Sequence, residues 1–301
     1  MMLNQTQTMT TTTMMTSKAS KNLGSLALES MLIEVSVTPK PGLIDRNNSG
    51  AHRDMGFFTF MKSAASLNSC FEDFAQAGVI AGQEKLLPVL LFPELRRIGI
   101  IAENDMFRAT QGVNTHKGEI FSLGVLSAAA GYLSGMNENI DSDSVMSLAG
   151  KICEGLCARD FAESRKKSRN ELTKGEKIFI DYNITGIRGE AESGYKSVKD
   201  ISLPALRKYL SENFTLNDSL AKTLIHLIAF AQDTNIISRH DLETAKNVMD
   251  SARKILENGA DLDDIFMLDQ EFIQRNISPG GSGDLLAVTY FIYELDKNLL
   301  L

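Results

Sequence analysis

Cysteine is scarce in this chain. There are three in 301 residues (Cys70, Cys153 and Cys157), too few and too scattered for a disulfide framework. Cys153 and Cys157 lie one helical turn apart, but no second pair or nearby histidine completes a metal site with them. All three read as reduced core residues of a cytoplasmic protein. Positive charge is also short: 31 Lys and Arg stand against 38 Asp and Glu, for a formal net charge of -7. That balance argues against wholesale binding to nucleic acid or a membrane surface. An anionic ligand would need cations gathered in one place. The start, MMLNQTQTMTTTTMMTSK, has neither the basic nor the apolar region of a secretory signal. No stretch reads as long and apolar enough to span a bilayer. No alternating series with hairpin turns supports a sheet, and no repeat period is present.

What remains is an ordinary globular composition, 43% hydrophobic and 23% charged. Residues 1–17 are polar and of low complexity, and read as a disordered tail. Residues 18–301 carry helix signals almost throughout. Leu23, Leu26, Leu28, Met31, Leu32 and Val35 recur at three and four spacing over 20–35, an amphipathic pattern. The style continues over 54–82. Pro93 suits the first turn of a helix over 93–109. Further helices are expected at 117–134, 142–169, 203–213, 217–233, 239–258, 261–275 and 283–298. KIFIDYNI can be read as strand. The predicted fold class is all-α: a single multi-helix bundle with its active site built from inter-helix loops at one end.

Glycine, proline and charge concentrate in five connections: TPKPGLIDRNNSGAHRD, QGVNTHKGE, TGIRGEAESGY, AQDTN and ISPGGSGD. Loops held by a rigid scaffold are where chemistry tends to sit. In the first, Pro39 and Pro41 stiffen the backbone around Lys40, Arg46 adds a cation and Asp45 an acid. His52 and Asp54 follow, and Asp54 can cap the next helix. In the second, Asn114, His116 and Lys117 sit between glycines where a helix begins. Unpaired N–H groups and the helix dipole favour an anion there. Thr115 can cap that helix. It is not a Walker loop, because the lysine precedes the second glycine. In the fifth, Gly280, Gly281 and Ser282 lead into another helix, with Ser282 or Asp284 as its cap.

Asp233 ends the apolar run LAKTLIHLIAFA, where a helix C-terminus disfavours a carboxylate by about 0.3 to 1 kcal/mol. A metal ion or Arg239 would compensate, so Asp233 is a candidate metal ligand or general base. His226, inside that run, reads as a core histidine. Glu190 and Glu192 would point to opposite sides of a helix but can share a cavity from a loop. Arg188 beside them offers a phosphate fork. Oxygen ligands of this kind (Asp233, Glu190, Glu192 and Asp284) suit Mg²⁺. RKKSRNELTKGEK reads as a solvated helix end and linker.

Taken in order, EVSVTPKPGLIDRNNSGAHRDMGFFTF, GVNTHKGEIFSLG, TGIRGEAESGY, AQDTN and SPGGSGDLLA resemble the signature segments of triphosphoribosyl-dephospho-CoA synthases, over about residues 24 to 296. Gly283 departs from an expected alanine, and ISRHD replaces a glycine-containing turn. The resemblance implies that ATP and 3'-dephospho-CoA give 2'-(5''-triphosphoribosyl)-3'-dephospho-CoA and adenine. That product is the precursor of the prosthetic group on the acyl-carrier protein of citrate lyase, or of malonate decarboxylase, where a separate holo-transferase attaches it. It implies Asp233, with Glu190 as rival, taking the proton of the attacking 2'-hydroxyl. His52 would protonate the departing adenine. Lys40, Arg46, His116, Lys117 and Arg188, with Mg²⁺ on carboxylates, would hold the triphosphate; Asp45, Asn114, Ser282, Gly280 and Gly281 would complete the substrate contacts. A homo-oligomer is compatible with all of this. A glycohydrolase that lets water attack C1', and a helical nucleotide-binding regulator, are the competing readings.

Overall fold

The computed structural model describes residues 2–297, with side chains from Lys18 onward. The tail expected over residues 1–17 concerns side chains outside those described. Among the described residues every regular element is helical, as the absence of strand alternation predicts. In chain order they are α1 (Met2–Ser36), α2 (Phe57–Ala65), α3 (Asn68–Gln83), α4 (Phe92–Ala109), α5 (Lys117–Met136), α6 (Ser142–Ile152), α7 (Leu156–Ser164) and α8 (Lys174–Tyr182). There follow α9 (Gly186–Glu192), α10 (Leu203–Ser211), α11 (Leu216–Phe230), α12 (Thr234–Arg239), α13 (Leu242–Glu257), α14 (Leu262–Gln274) and α15 (Gly280–Lys297).

The most extensive helix pair is α3 with α5, and its chemistry is glycine. Gly78 and Gly82 on α3 lie one turn apart, as do Gly131 and Gly135 on α5. A Cβ at any of the four would collide with a backbone carbonyl oxygen of the other helix: Ala128, Tyr132, Ala75 and Val79 respectively. The two backbones therefore touch, which only residues without a side chain permit. Helix α5 is apolar on all sides because α1, α3, α4 and α6 surround it, the pattern of a core helix. By length and composition alone it would qualify to cross a membrane, which corrects the expectation that no stretch would; 78% of that stretch is buried inside the protein. Core side chains from α1 through α15 form one contiguous cluster.

Several expected boundaries move for local reasons. The helix expected over 54–82 breaks at Ser66, whose hydroxyl donates back to the Ser63 carbonyl at 2.7 Å and ends α2. The helix expected over 142–169 breaks at Gly155, which takes φ +70°. The N–H groups of Gly155 and Cys157 donate to the Glu192 carboxylate at 2.8 and 2.9 Å, so α7 begins on a borrowed cap. KIFIDYNI is helix, not strand: a reciprocal cap between Thr173 and Glu176 starts α8 inside the segment expected as linker. The run expected as 217–233 ends at Phe230, and a separate short helix, α12, follows.

Candidate active site

Where α1 ends, the chain turns through residues 37–56 and folds back over the N-termini of α5, α12 and α15. Between these parts lies a polar cavity of about 370 Å³, within the usual range for a ligand pocket. Its floor is acidic. Glu34, from the last turn of α1, is 4% exposed, and Glu119, from the first turn of α5, 2%. Asp284, one turn into α15, is half-buried beside them. A single buried lysine answers them: Lys40 Nζ lies 2.5 Å from Glu34 Oε1. Glu34 and Glu119 share that ammonium, Asp284 lies against them, and the field shows in their titration. Burial raises the Glu34 carboxyl above its usual range despite Lys40. Burial, then the charges of Glu34 and Asp284, raise Glu119 well above it. Burial, then Asp233 and Glu34, do the same to Asp284. Oε2 of Glu34 and Oε2 of Glu119 have no hydrogen-bond partner, an arrangement that buried oxygens rarely keep without a ligand.

Glycines make room for these acids. A Cβ on Gly118 would strike the Asp284 carboxylate, and one on Gly283 would stand 3.1 Å from Glu34 Oε1. Gly283, where the resemblance led to an expectation of alanine, thus relieves crowding against Glu34.

The cavity wall carries the polar groups. His52 Nε2 lies 2.9 Å from Ser278 Oγ, and Arg239 donates to His52 Nδ1 at 3.2 Å. An arginine only donates, so Nδ1 accepts and Nε2 carries the proton. Burial, then the Arg239 charge, lower the His52 pKa to about 4. His52 is therefore neutral at neutral pH and cannot serve there as an imidazolium acid. Lys117 is half-exposed at the rim and pairs with Glu103 at 2.7 Å; the Asn114 side-chain Oδ1 accepts from the Lys117 N–H at 3.3 Å. Gly280, Asn235 and Lys174 complete the lining.

Of the residues singled out from the sequence, Lys40, His52, Asn114, Lys117, Gly280 and Asp284 line this cavity. The others are occupied elsewhere. Asp45 holds its own loop, accepting from Asn47 N, Asn48 N and Thr38 Oγ1 at 2.6–2.8 Å. Arg46 reaches out to Asn217 at 3.3 Å. His116 is fully buried, with Nδ1 2.7 Å from Ser63 Oγ and its ring edge-on to Phe60. Burial, then Lys40, push its pKa down to about 3, so it offers no positive charge to a phosphate. Thr115 likewise turns to Ser63 rather than capping α5. The competing expectation of a core histidine at 226 matches a 3.0 Å contact with the Tyr209 hydroxyl.

Asp233 does not sit at a helix C-terminus. It caps α12, accepting from Asn235 N at 2.9 Å, and receives Ser282 N at 2.8 Å and Ser282 Oγ at 3.1 Å from the start of α15. Gly281 lies against the same carboxylate. Asp233 is thus a clip between two helix N-termini, where the dipole favours it, and Ser282 is half of that clip. Because TGIRGEAESGY forms α9, Glu190 and Glu192 face apart. Glu190 accepts from Ser197 Oγ at 2.5 Å and Glu192 caps α7. Arg188 donates to Asp160 at 2.9 Å on a different cleft. Glu34 and Glu119 are the acidic cavity residues that sequence reasoning did not assign, and Arg239, expected there only as a partner for Asp233, faces His52 instead. Glu34 and Glu119 lay inside quoted segments, and the signal was a charge in the first or last turn of an otherwise apolar helix.

An all-α protein with a cavity between helix N-termini, acidic at its floor and cationic at its rim, is of a class suited to binding an anionic ligand together with cations. A family profile described as ATP:dephospho-CoA triphosphoribosyl transferase matches residues 20–300. A 2-(5''-triphosphoribosyl)-3'-dephosphocoenzyme-A synthase of Escherichia fergusonii is 38% identical over 282 residues, covering 92% of each chain. The chain belongs to the ATP:dephospho-CoA triphosphoribosyl transferase family. No solved structure matches it significantly.

Proposed function

We propose that this chain moves the triphosphoribosyl group of ATP onto the ribose 2'-hydroxyl of 3'-dephospho-CoA and releases adenine. The reading rests on family membership together with one observation, the carboxylates of Glu34, Glu119 and Asp284 gathered with Lys40 at the floor of the cavity. In the reaction the C1'–N9 bond of ATP breaks and a C1'–O bond to the acceptor forms. The 2'-hydroxyl proton passes to a carboxylate, and adenine leaves with the bonding pair and takes up a proton. The sugar carbon is oxocarbenium-like in between, as at other glycosyl centres. With Asp233 and Glu190 held by four and two hydrogen-bond donors of the fold, Glu119 is the better base. Its Oε2 has no partner, and burial, then the like charges of Glu34 and Asp284, make it more basic than an exposed glutamate.

A triphosphate and three carboxylates occupy one cavity only with cations between them. The partnerless oxygen of Glu34, with the Asp284 carboxylate, fits Mg²⁺, which is held by one or two carboxylates plus substrate phosphates and water. Among the described residues no three acidic, imidazole or thiol side chains are grouped to hold a metal ion, so positions beyond two carboxylates fall to phosphate and water. When bound, the ion supplies charge neutralisation and fixes the polyphosphate. Lys40 holds Glu34 in place and Arg239 adds positive charge near the wall. Residues 18–301 act as one catalytic domain in this reading, and the product would go on to an acyl-carrier protein through a separate transferase.

Chromatography of adenine, with ATP given alone or with dephospho-CoA, tests the proposal, and mass spectrometry identifies the product. Adenine is expected only when both are present. Adenine from ATP alone would show a glycohydrolase, and intact ATP under both conditions a binding protein. Glu119→Gln is expected to lower kcat about 100-fold or more while leaving ATP affinity in place.

A further inference from the structure

Lys117 stands between two cavities. On its other side a cleft of about 310 Å³ runs between α3, α4, α5 and α7. The floor is apolar: Phe74, Leu95, Ile120 and Val125, with the Phe92 and Phe121 rings edge-on at 6.5 Å. The rim is charged. Arg96 and Arg188 both donate to Asp160, at 2.7 and 2.9 Å, and Lys117 pairs with Glu103. Three cations against two carboxylates leave the rim net positive. Nothing in the reaction at the first cavity uses this cleft, yet Lys117 lines both.

We infer that this cleft takes the pantetheine arm of the acceptor, dephospho-CoA, with Lys117, Arg96 and Arg188 on its pyrophosphate. The inference rests on the function proposed above. The acceptor's 2'-hydroxyl must reach the sugar carbon of ATP in the first cavity, while its diphosphate and arm extend away from the ribose. Charge complementarity orders the parts: the dianionic diphosphate matches the cationic junction, and the largely aliphatic arm matches the floor beyond. ATP has no such arm, so the cleft separates the two nucleotides. Lys117 then serves the acceptor, and the grip on the ATP triphosphate falls to the metal and the cations of the first cavity.

Two substitutions test this. A Cβ at Gly99, on the cleft wall, would have its nearest neighbour, Phe74 Cζ, at 3.8 Å. There is thus room at the backbone, and Gly99→Phe fills the cleft. Ile100 is 57% exposed at the same wall, so Ile100→Glu places a repelling charge there without disturbing the core. Calorimetry on the full chain should show the dissociation constant for dephospho-CoA rising about tenfold or more in both variants, with ATP binding unchanged. 4'-Phosphopantetheine, which carries the arm and one phosphate without adenosine, should displace dephospho-CoA from the parent protein and fail to bind Ile100→Glu. Unchanged dephospho-CoA affinity in Ile100→Glu, or a loss of ATP affinity instead, overturns the assignment. So does failure of phosphopantetheine to compete. These binding measurements need no turnover. Should the parent protein release no adenine, the proposed reaction fails on its own, while the occupant of the cleft is still read.

Discussion

At the scale of single residues, burial decides roles that residue type alone leaves open. His116 and Lys117 are neighbours, yet one is sealed under Phe60 and the other stands half-exposed at the rim between two cavities. A histidine beside a lysine reads as a cationic pair, and the sequence carries no mark of the ring being turned inward. His116 folds neutral, with a pKa of about 3 against the ordinary 6.5. The unfolded chain therefore takes up a proton below about pH 6.5 that the folded chain refuses. Stability from this group is present above that value and falls as pH drops toward 3, by up to about 1.4 kcal/mol per pH unit. His116→Gln should flatten this acid limb. Urea midpoints at a series of pH values check it; identical slopes for parent and variant would mean that His116 charges freely in the fold. Asp233 teaches the same lesson with the opposite sign. Its place after an apolar run suggested a carboxylate at the negative end of a helix, and the fold puts it at the positive ends of two.

Elements were legible in proportion to their length. The periodic runs behind α4, α5, α11, α13, α14 and α15 gave helices within a few residues of their true ends. What the periodicity hid were the interruptions, because each depends on a partner distant in sequence. Glu192 starts α7 from 35 positions away, and no local pattern announces it. The glycine pairs of α3 and α5 were likewise invisible as an interface, since four scattered glycines look like helix weakness until two backbones are seen to touch. Helix propensity would favour alanine over glycine by roughly 0.8 to 1.0 kcal/mol at each of them. Overpacking opposes that gain by about 1–3 kcal/mol, and the collision here is with backbone carbonyls, which yield little. Gly78→Ala and Gly131→Ala should therefore lower the melting temperature. A raised melting temperature in either variant would show that the helices can part without loss.

At the scale of the whole molecule, the expectation was that five loops meet at one site. Four of them contribute: residues 37–56, the start of α5, α12 after AQDTN, and the start of α15 all line the acidic cavity. The fifth, TGIRGEAESGY, coils into α9 and sends Arg188 to the neighbouring cleft. Sequence order showed which segments carry chemistry, but not that the deepest charges would be Glu34 and Glu119, because their importance comes from mutual proximity. That proximity has a global consequence. Burying three carboxylates against one lysine opposes folding, and a divalent ion on Glu34 and Asp284 would relieve it. Mg²⁺ binding only the folded chain should raise its stability by RT ln(1 + [Mg²⁺]/Kd), about 2.7 kcal/mol at a hundredfold excess over Kd. Thermal melts with graded Mg²⁺ and no nucleotide should show this rise. It should fade as the pH is lowered and the carboxylates protonate, and it should shrink in Asp284→Asn. Glu119→Gln and Asp284→Asn should also melt higher than the parent when the ion is withheld, since each removes part of the repulsion. A melting temperature indifferent to Mg²⁺ in the parent protein, with ATP present as well as absent, would leave the trio without its cation and make Lys40 its sole counterion.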